Sequence, residues 1–196
     1  MTITEPEHGP DPEDNYPRGP ASVCLEGPPQ RQCYTAPNGF GNGPSISVIQ
    51  LEKGAPALFF SAGTGGVSGF AIQFALLRPG EGERLEDLFT PDMAVSNQSQ
   101  YAFWSDPAIS HSPIFVTANY AYGADEAHYD KHRYTISAYV SKPSTLIGDG
   151  YYYLEDRYMT VHKYDLDRND DVLASERKEI LSRLRRVKAA GSVGFK

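Results

Sequence analysis

The sequence predicts a mainly β protein of the α+β class: an antiparallel sandwich or partial barrel with one C-terminal amphipathic helix. From residue 45 onward, large apolar residues alternate with small or polar ones in at least six segments, which is the two-residue period of a strand with one buried face. Tyr, Phe and β-branched residues, which favour strands, fill these segments. The predicted strands are 45–51, 57–60, 70–77, 100–104, 114–120, 133–140 and 151–164.

The apolar period becomes helical near the C-terminus. Asp170 or Asp171 can cap the start of this helix and Gly191 can end it. From residue 176 onward there are seven basic and two acidic residues, so one face of the helix is cationic. The apolar stripe consists of Leu173, Ile180, Leu184 and Val187.

Length and composition restrict the domain organisation. The chain has 196 residues, of which 40% are apolar and 22% charged, enough for one domain with a sizeable core. Residues 1–22 contain five prolines and five carboxylates, a composition typical of a disordered arm. We therefore predict a disordered acidic, Pro-rich arm at 1–22, an antiparallel β domain at 23–170, and a C-terminal helix packed on it at 171–190.

Charge and hydropathy argue against two classes of function. A net charge of −7 disfavours a general nucleic-acid binder, which needs a basic face to displace counterions from the phosphate backbone. No run of residues approaches 18 apolar positions, so we expect no segment to span a membrane.

The two cysteines predict a disulfide. Cys24 and Cys33 lie on either side of a Gly27-Pro28-Pro29 turn, a spacing that a short bridged loop can close. The alternative is two unrelated thiols. A disulfide favours a secreted or periplasmic protein, although residues 1–20 contain no apolar leader segment.

A glycine-rich segment allows two interpretations. Residues 57–73 resemble the strand, glycine turn and helix of quinone-reductase-like nicotinamide enzymes. The acidic second strand of that motif does not follow, and large residues at 70, 72, 74 and 76 alternate as in a strand. A glycine-rich hairpin loop is therefore the favoured prediction.

A polar cluster at 125–132 suggests metal chemistry. His128 and His132 would share one face of a helix and, with a carboxylate, could ligate zinc. This spacing predicts a metal-dependent hydrolase as one alternative function. A solvated loop between two strands is the other interpretation.

Aromatic residues predict a carbohydrate site. Tyrosine and tryptophan combine a flat apolar ring with a polar group, which suits contact with sugar rings; otherwise they are simply good strand residues. Asn97, Gln98 and Asn119 would supply hydrogen bonds. The candidate ligand-binding residues are Trp104, Tyr101, Tyr120 and Tyr122.

The segment before the helix resembles a calcium loop. Oxygen ligands stand at positions one, three and five of a twelve-residue stretch that ends in Glu, as in an EF-hand. Position six is Asp170 rather than the usual Gly, and the alternative is an acidic helix cap. The predicted calcium ligands are Asp165, Asp167, Asn169, Asp171 and Glu176.

Residues 151–187 and 96–101 are similar to segments of uncharacterised secreted-type proteins of soil bacteria, which implies a bacterial source and no particular activity. From the residues we expect a non-enzymatic secreted or periplasmic binding module, with glycan as the ligand and calcium as a stabiliser. The alternatives are the hydrolase described above and a structural subunit of an extracellular assembly that pairs through strand edges.

Overall fold

The computed structural model describes residues 1–6, 19–27, 30–66, 69–90, 93–96, 99–121, 123–127, 130–143, 150–165 and 170–191. It confirms a mainly antiparallel β architecture with one C-terminal helix. The chain forms two compact units, residues 1–97 and 98–196. The predicted β domain at 23–170 spans both units, and each described sheet lies within one of them.

The described residues of the first unit form two antiparallel sheets. One has the strand order β1-β2-β3, and the other has the order β4-β5-β6-β7 with β8 also paired to β6. Its core includes Phe60, Ala62, Ala75 and Leu77, all fully or almost fully buried. The strands are β1 (Thr2–Thr4), β2 (Ser22–Leu25), β3 (Gln32–Thr35), β4 (Asn42–Gln50), β5 (Pro56–Gly66), β6 (Gly69–Pro79), β7 (Leu85–Asp87) and β8 (Met93–Ser96).

The glycine-rich segment forms the predicted hairpin. Strands β5 and β6 are antiparallel, and their last pair joins Gly66 to Gly69, so the resemblance to a nicotinamide-binding turn and helix was misleading. Gly63 cannot be replaced without rearrangement, since a Cβ there would lie 2.3 Å from the ring of Phe70. Phe70 thus packs directly on the glycine backbone.

Part of the predicted disordered arm is a strand. Residues Thr2–Thr4 pair with Ser22–Cys24, and the Glu5 carboxylate accepts a hydrogen bond from the Gly43 N–H. The prediction of disorder used the composition of residues 1–22 as a whole. The short run at its start contains two β-branched threonines and an isoleucine and so favours a strand. Residues 7–18 of the predicted arm lie outside the described residues.

The second unit is one four-stranded sheet with a helix on one face. The strand order is β12-β11-β10-β9, all antiparallel. Side chains that alternate along β10 and β11, among them Ile114, Val116 and Ile136, join Ile180 and Leu184 of the helix in one buried cluster. The elements are β9 (Gln100–Trp104), β10 (Ile114–Ala121), β11 (Arg133–Lys142), β12 (Tyr151–Met159) and α1 (Val172–Gly191).

The helix begins and ends close to the predicted residues. The Asp171 carboxylate accepts the Ala174 N–H at 2.8 Å, which makes Asp171 the N-cap, and α1 ends at Gly191. The predicted stripe is correct except at Val187, which is 37% exposed because it lies beyond the last turn that faces the sheet core. No helix among the described residues is both long and apolar enough to cross a membrane.

Strand β12 is shorter than predicted. It ends at Met159, because the chain turns at Val161 and His162. Tyr164 then forms an isolated antiparallel bridge with His132, which returns the chain to the sheet edge just before α1.

The predicted disulfide is present. Cys24 and Cys33 are bonded and lie directly opposite each other in the pairing of β2 with β3. We expect a Cys24→Ala/Cys33→Ala variant to lose about 2.7 kcal/mol of unfolding free energy, the chain-entropy value for a closed loop of about ten residues. Urea unfolding with and without reductant measures this loss. Reductant should destabilise the wild type and leave the variant unchanged, and equal midpoints for the two oxidised proteins would contradict the prediction.

Candidate functional site

An open groove runs between β9 and the first two turns of α1. Its volume is about 540 Å³, and its lining includes Tyr101 and Trp104 from the strand and Asp171 and Arg177 from the helix end. β9 is the last strand of its sheet. Because residues 101 and 104 point to opposite faces of a strand, both can line a groove that follows this outer edge.

Trp104 forms the apolar wall of the groove. Its side chain is half-buried and packs against the cluster between the sheet and α1. The guanidinium carbon of Arg177 lies 5.3 Å from the centre of the indole ring, a cation–π arrangement. Arg177 itself is exposed, so its N–H groups face solvent beside the aromatic wall.

Two polar residues of the groove shape the start of the helix. Gln100 donates from its side-chain amide to the Asp170 carbonyl at 3.0 Å and accepts the Leu173 N–H at 3.1 Å. Asp171 accepts the Ala174 N–H. These bonds satisfy N–H groups that have no partner within the helix and hold β9 and α1 at a defined separation.

The predicted aromatic site is only partly assembled. Tyr101, 42% exposed, and Trp104 line the groove together, but Tyr120 does not line it, because its hydroxyl is engaged with His132. Tyr122 lies outside the described residues, as do Asn97 and Gln98. Asn119 accepts a hydrogen bond from the Ser99 hydroxyl at 2.7 Å.

A second polar cluster joins the loop before β11 to the turn after β12. His132 is fully buried; its Nε2 lies 2.7 Å from the Tyr120 hydroxyl, and its Nδ1 lies 2.8 Å from a Glu126 oxygen. The other Glu126 oxygen binds Lys163 at 2.6 Å. A carboxylate only accepts hydrogen bonds, so Nδ1 of His132 donates to Glu126, while Nε2 shares a hydrogen bond with the Tyr120 hydroxyl.

This cluster accounts for His132, one of the two histidines of the zinc prediction, which itself stays a prediction. Both ring nitrogens of His132 are already bonded within the described chain, and the ring is buried, so His132 is not placed as a metal ligand. His128 lies outside the described residues. The described part of the chain contains no group of three or more His, Cys, Asp or Glu side chains arranged to hold a metal ion.

The predicted calcium ligands have other contacts. Glu176 is buried, and its two oxygens accept hydrogen bonds from the Tyr164 hydroxyl at 2.5 Å and the Tyr158 hydroxyl at 2.8 Å. Asp171 caps α1, and the backbone N–H of Asp165 donates to Asp170. Asp167 and Asn169 lie outside the described residues.

The Glu176 cluster is electrostatically consistent. Burial, and then the hydrogen bond to Glu176, raise the pKa of Tyr164 and of Tyr158 above the ordinary tyrosine value. Both phenols therefore stay protonated and donate to the carboxylate. A buried carboxylate with two strong donors avoids the desolvation cost that an unpartnered charge would carry.

Sequence reasoning missed Arg177, Glu126 and the partners of Glu176. One signal was available for Glu176, which falls within the apolar stripe three residues after Leu173 and four before Ile180. A carboxylate at such a position must find buried donors. Arg177 carried no local signal, because its neighbour Trp104 is distant in the sequence.

Comparison of the chain with protein-family models, with curated proteins and with solved structures gave no match. The function is therefore inferred from the residues of the site.

We expect Glu126 to make the protein lose stability in acid. Hydrogen bonds from Lys163, then from the Gly123 N–H and His132, lower the pKa of Glu126 from 4.5 to about 2. The unfolded chain therefore binds a proton at higher pH than the folded chain, so the contribution of Glu126 to the free energy of unfolding is complete above pH 4.5 and is lost as pH falls toward 2.

Urea unfolding of wild type and Glu126→Gln across this range should show a stability difference that shrinks with falling pH. Lys163→Met should narrow the pH range over which this stability is lost, because Lys163 contributes most to the lowered pKa of Glu126. A stability difference between wild type and Glu126→Gln that does not change with pH would contradict the role assigned to Glu126.

The calcium loop remains a prediction that melting can test. If calcium binds only the folded chain, a hundredfold excess over Kd adds about 2.7 kcal/mol. Melting of metal-stripped protein should then rise in calcium and fall again with chelator, and Asp165→Asn should reduce the rise. Tyr164→Phe is the matched control. It weakens the Glu176 cluster but keeps every proposed ligand, so the rise in melting temperature with calcium should persist. Identical melting with calcium and chelator would leave Asp171 as a cap and Glu176 as a partner of tyrosines.

Proposed function

We propose that this protein is a non-enzymatic, secreted or periplasmic binding module whose ligand is a glycan held in the β9–α1 groove. One observation carries the proposal: Tyr101 and Trp104 line one open groove together with the charged side chains of Asp171 and Arg177. Aromatic walls with a few polar groups are the usual composition of small-ligand sites, and sugars present both apolar ring faces and hydroxyls.

The groove is held open by contacts within and beside its lining. Glu176 and its two tyrosines anchor the first turns of α1 to the sheet, while Gln100 joins β9 to the helix start. A site built on fixed elements loses less conformational entropy on binding than one that must form around its ligand. This rigidity supports a binding role for the groove.

The disulfide supports the proposed location. Bonded cysteines persist in oxidising compartments, and Cys24–Cys33 is such a bond. The bond is compatible with an extracellular protein, and export is part of the proposal.

We expect loss of the aromatic wall to weaken glycan binding. Trp104→Ala should weaken binding about tenfold or more, a change of about 1.4 kcal/mol or more in binding free energy, because it removes the largest apolar surface of the groove. Calorimetric titration with glycans selected from an array measures this effect. Trp104→Phe keeps a ring on the core and should lose less.

Two further variants separate binding from folding. Tyr101→Ala changes an exposed side chain of the groove and should also weaken binding. Val161→Ser, at a position 79% exposed outside this groove, is the control and should bind as the wild type does. Wild-type affinity in folded Trp104→Ala and Tyr101→Ala would overturn the proposal.

A further inference from the structure

Two arginines of α1 stack on aromatic rings, and their surroundings differ. Arg183 lies with its guanidinium carbon 4.5 Å from the Tyr158 ring centre. It also binds both oxygens of Asp156, at 2.6 and 3.1 Å. The guanidinium of Arg183 therefore contacts the Tyr158 ring and also binds the Asp156 carboxylate in the bidentate geometry that arginine favours.

Arg177 has the aromatic contact of this arrangement but not the bound carboxylate. It stacks on Trp104 at 5.3 Å, and no carboxylate of the described chain forms an ion pair with it. By contrast, Arg183, Arg185 and Arg186 on the same helix each bind an acidic side chain. The solvent-facing edge of the Arg177 guanidinium thus lies in the groove, oriented by the indole and available to a planar anion.

We propose that the groove selects an acidic sugar, with the carboxylate of a uronic-acid-type residue bound by Arg177. This inference rests on the proposed function and names its ligand class. The Arg183–Asp156 pair of the same protein is the precedent: there an arginine placed over an aromatic ring binds a carboxylate through two hydrogen bonds.

The other charged group of the groove favours a sugar acid over a simple anion. Asp171 lines the same groove, and its carboxylate repels a bare anion but accepts hydrogen bonds from hydroxyl groups. A uronic acid offers both chemistries, a carboxylate for Arg177 and hydroxyls for Asp171. The Asp171 charge is itself partly offset by the positive end of the α1 dipole.

The stacked arginine also disfavours neutral sugars. Arg177 covers one face of the Trp104 ring, and the indole packs against the core cluster. A neutral sugar that stacks on the indole must first displace the guanidinium and lose the cation–π contact. A carboxylated sugar can bind the edge of the guanidinium and leave that contact intact.

The experiment compares one oligosaccharide in two chemical forms. Calorimetric titration is carried out with oligogalacturonate and with the same oligosaccharide after carboxyl reduction, which replaces the acid by a neutral hydroxymethyl group. We expect the acidic form to bind about tenfold more tightly or better. Arg177→Gln should remove this preference, and Arg177→Lys should recover only part of it, because lysine cannot form the paired hydrogen bonds.

Lys178 is the matched control. It is the next residue of α1 and is also exposed, but it does not line the groove. Lys178→Gln removes the same formal charge from the same helix and should leave the preference unchanged. If Lys178→Gln and Arg177→Gln reduce binding equally, the effect is general attraction between charges, and the inference is wrong.

The two proposals fail in different ways. If both forms bind equally and Trp104→Ala weakens both, the groove binds glycans and the acidic preference is overturned. If neither form binds the folded wild type and a neutral glycan from the array does, again through Trp104, the acidic preference fails while the binding module stands. If no glycan binds at all, the proposed function fails and the inference falls with it.

Discussion

The buried carboxylate of Glu176 determines where α1 lies on its sheet. It accepts two hydrogen bonds from tyrosines of the β12 end and the segment that follows, Tyr158 and Tyr164. Apolar packing by Ile180 and Leu184 supplies attraction but little direction, and a helix can slide along an apolar face at small cost. Two bonds to one buried charge remove that freedom, because any shift leaves the carboxylate without donors.

The candidate site depends on this register. With α1 anchored through Glu176, the next residue, Arg177, lies over Trp104 on β9. Gln100 of the same strand binds the Asp170 carbonyl and the Leu173 N–H at the start of the helix. The groove is therefore the space that remains between a strand and a helix whose separation is set by buried polar contacts. Helix register and the position of the arginine follow from the Glu176 anchor, and the Gln100 contacts add to it in setting the groove width.

Polar networks recur at the end of the sheet where β12 passes into α1. His132 and Tyr164 exchange backbone hydrogen bonds, which brings the Glu126–His132–Tyr120 chain and the Glu176 cluster to neighbouring parts of the fold. Rings of Tyr120, Tyr134 and Tyr164 pack edge to face between them. The hydroxyls of Tyr120, Tyr158 and Tyr164 bind His132 or Glu176, whereas the Tyr134 hydroxyl is buried with no hydrogen-bond partner in the described part of the chain.

Local patterns of the sequence determined strands β4 to β6 and β9 to β12, the glycine hairpin, the Asp171 cap, the helix end and the disulfide, since each depends on residues close together in the chain. The short strands β7 and β8 were not predicted. Tertiary structure alone decided three other features. Thr2–Thr4 became a strand because Ser22–Leu25 offers a backbone edge, and His132 became a buried hydrogen-bonding residue because Glu126 and Tyr120 enclose it. Arg177 met Trp104 because packing brings residues 73 positions apart into contact. Alternation and capping act over a few residues, whereas a buried charge is satisfied by whichever donors the completed fold supplies.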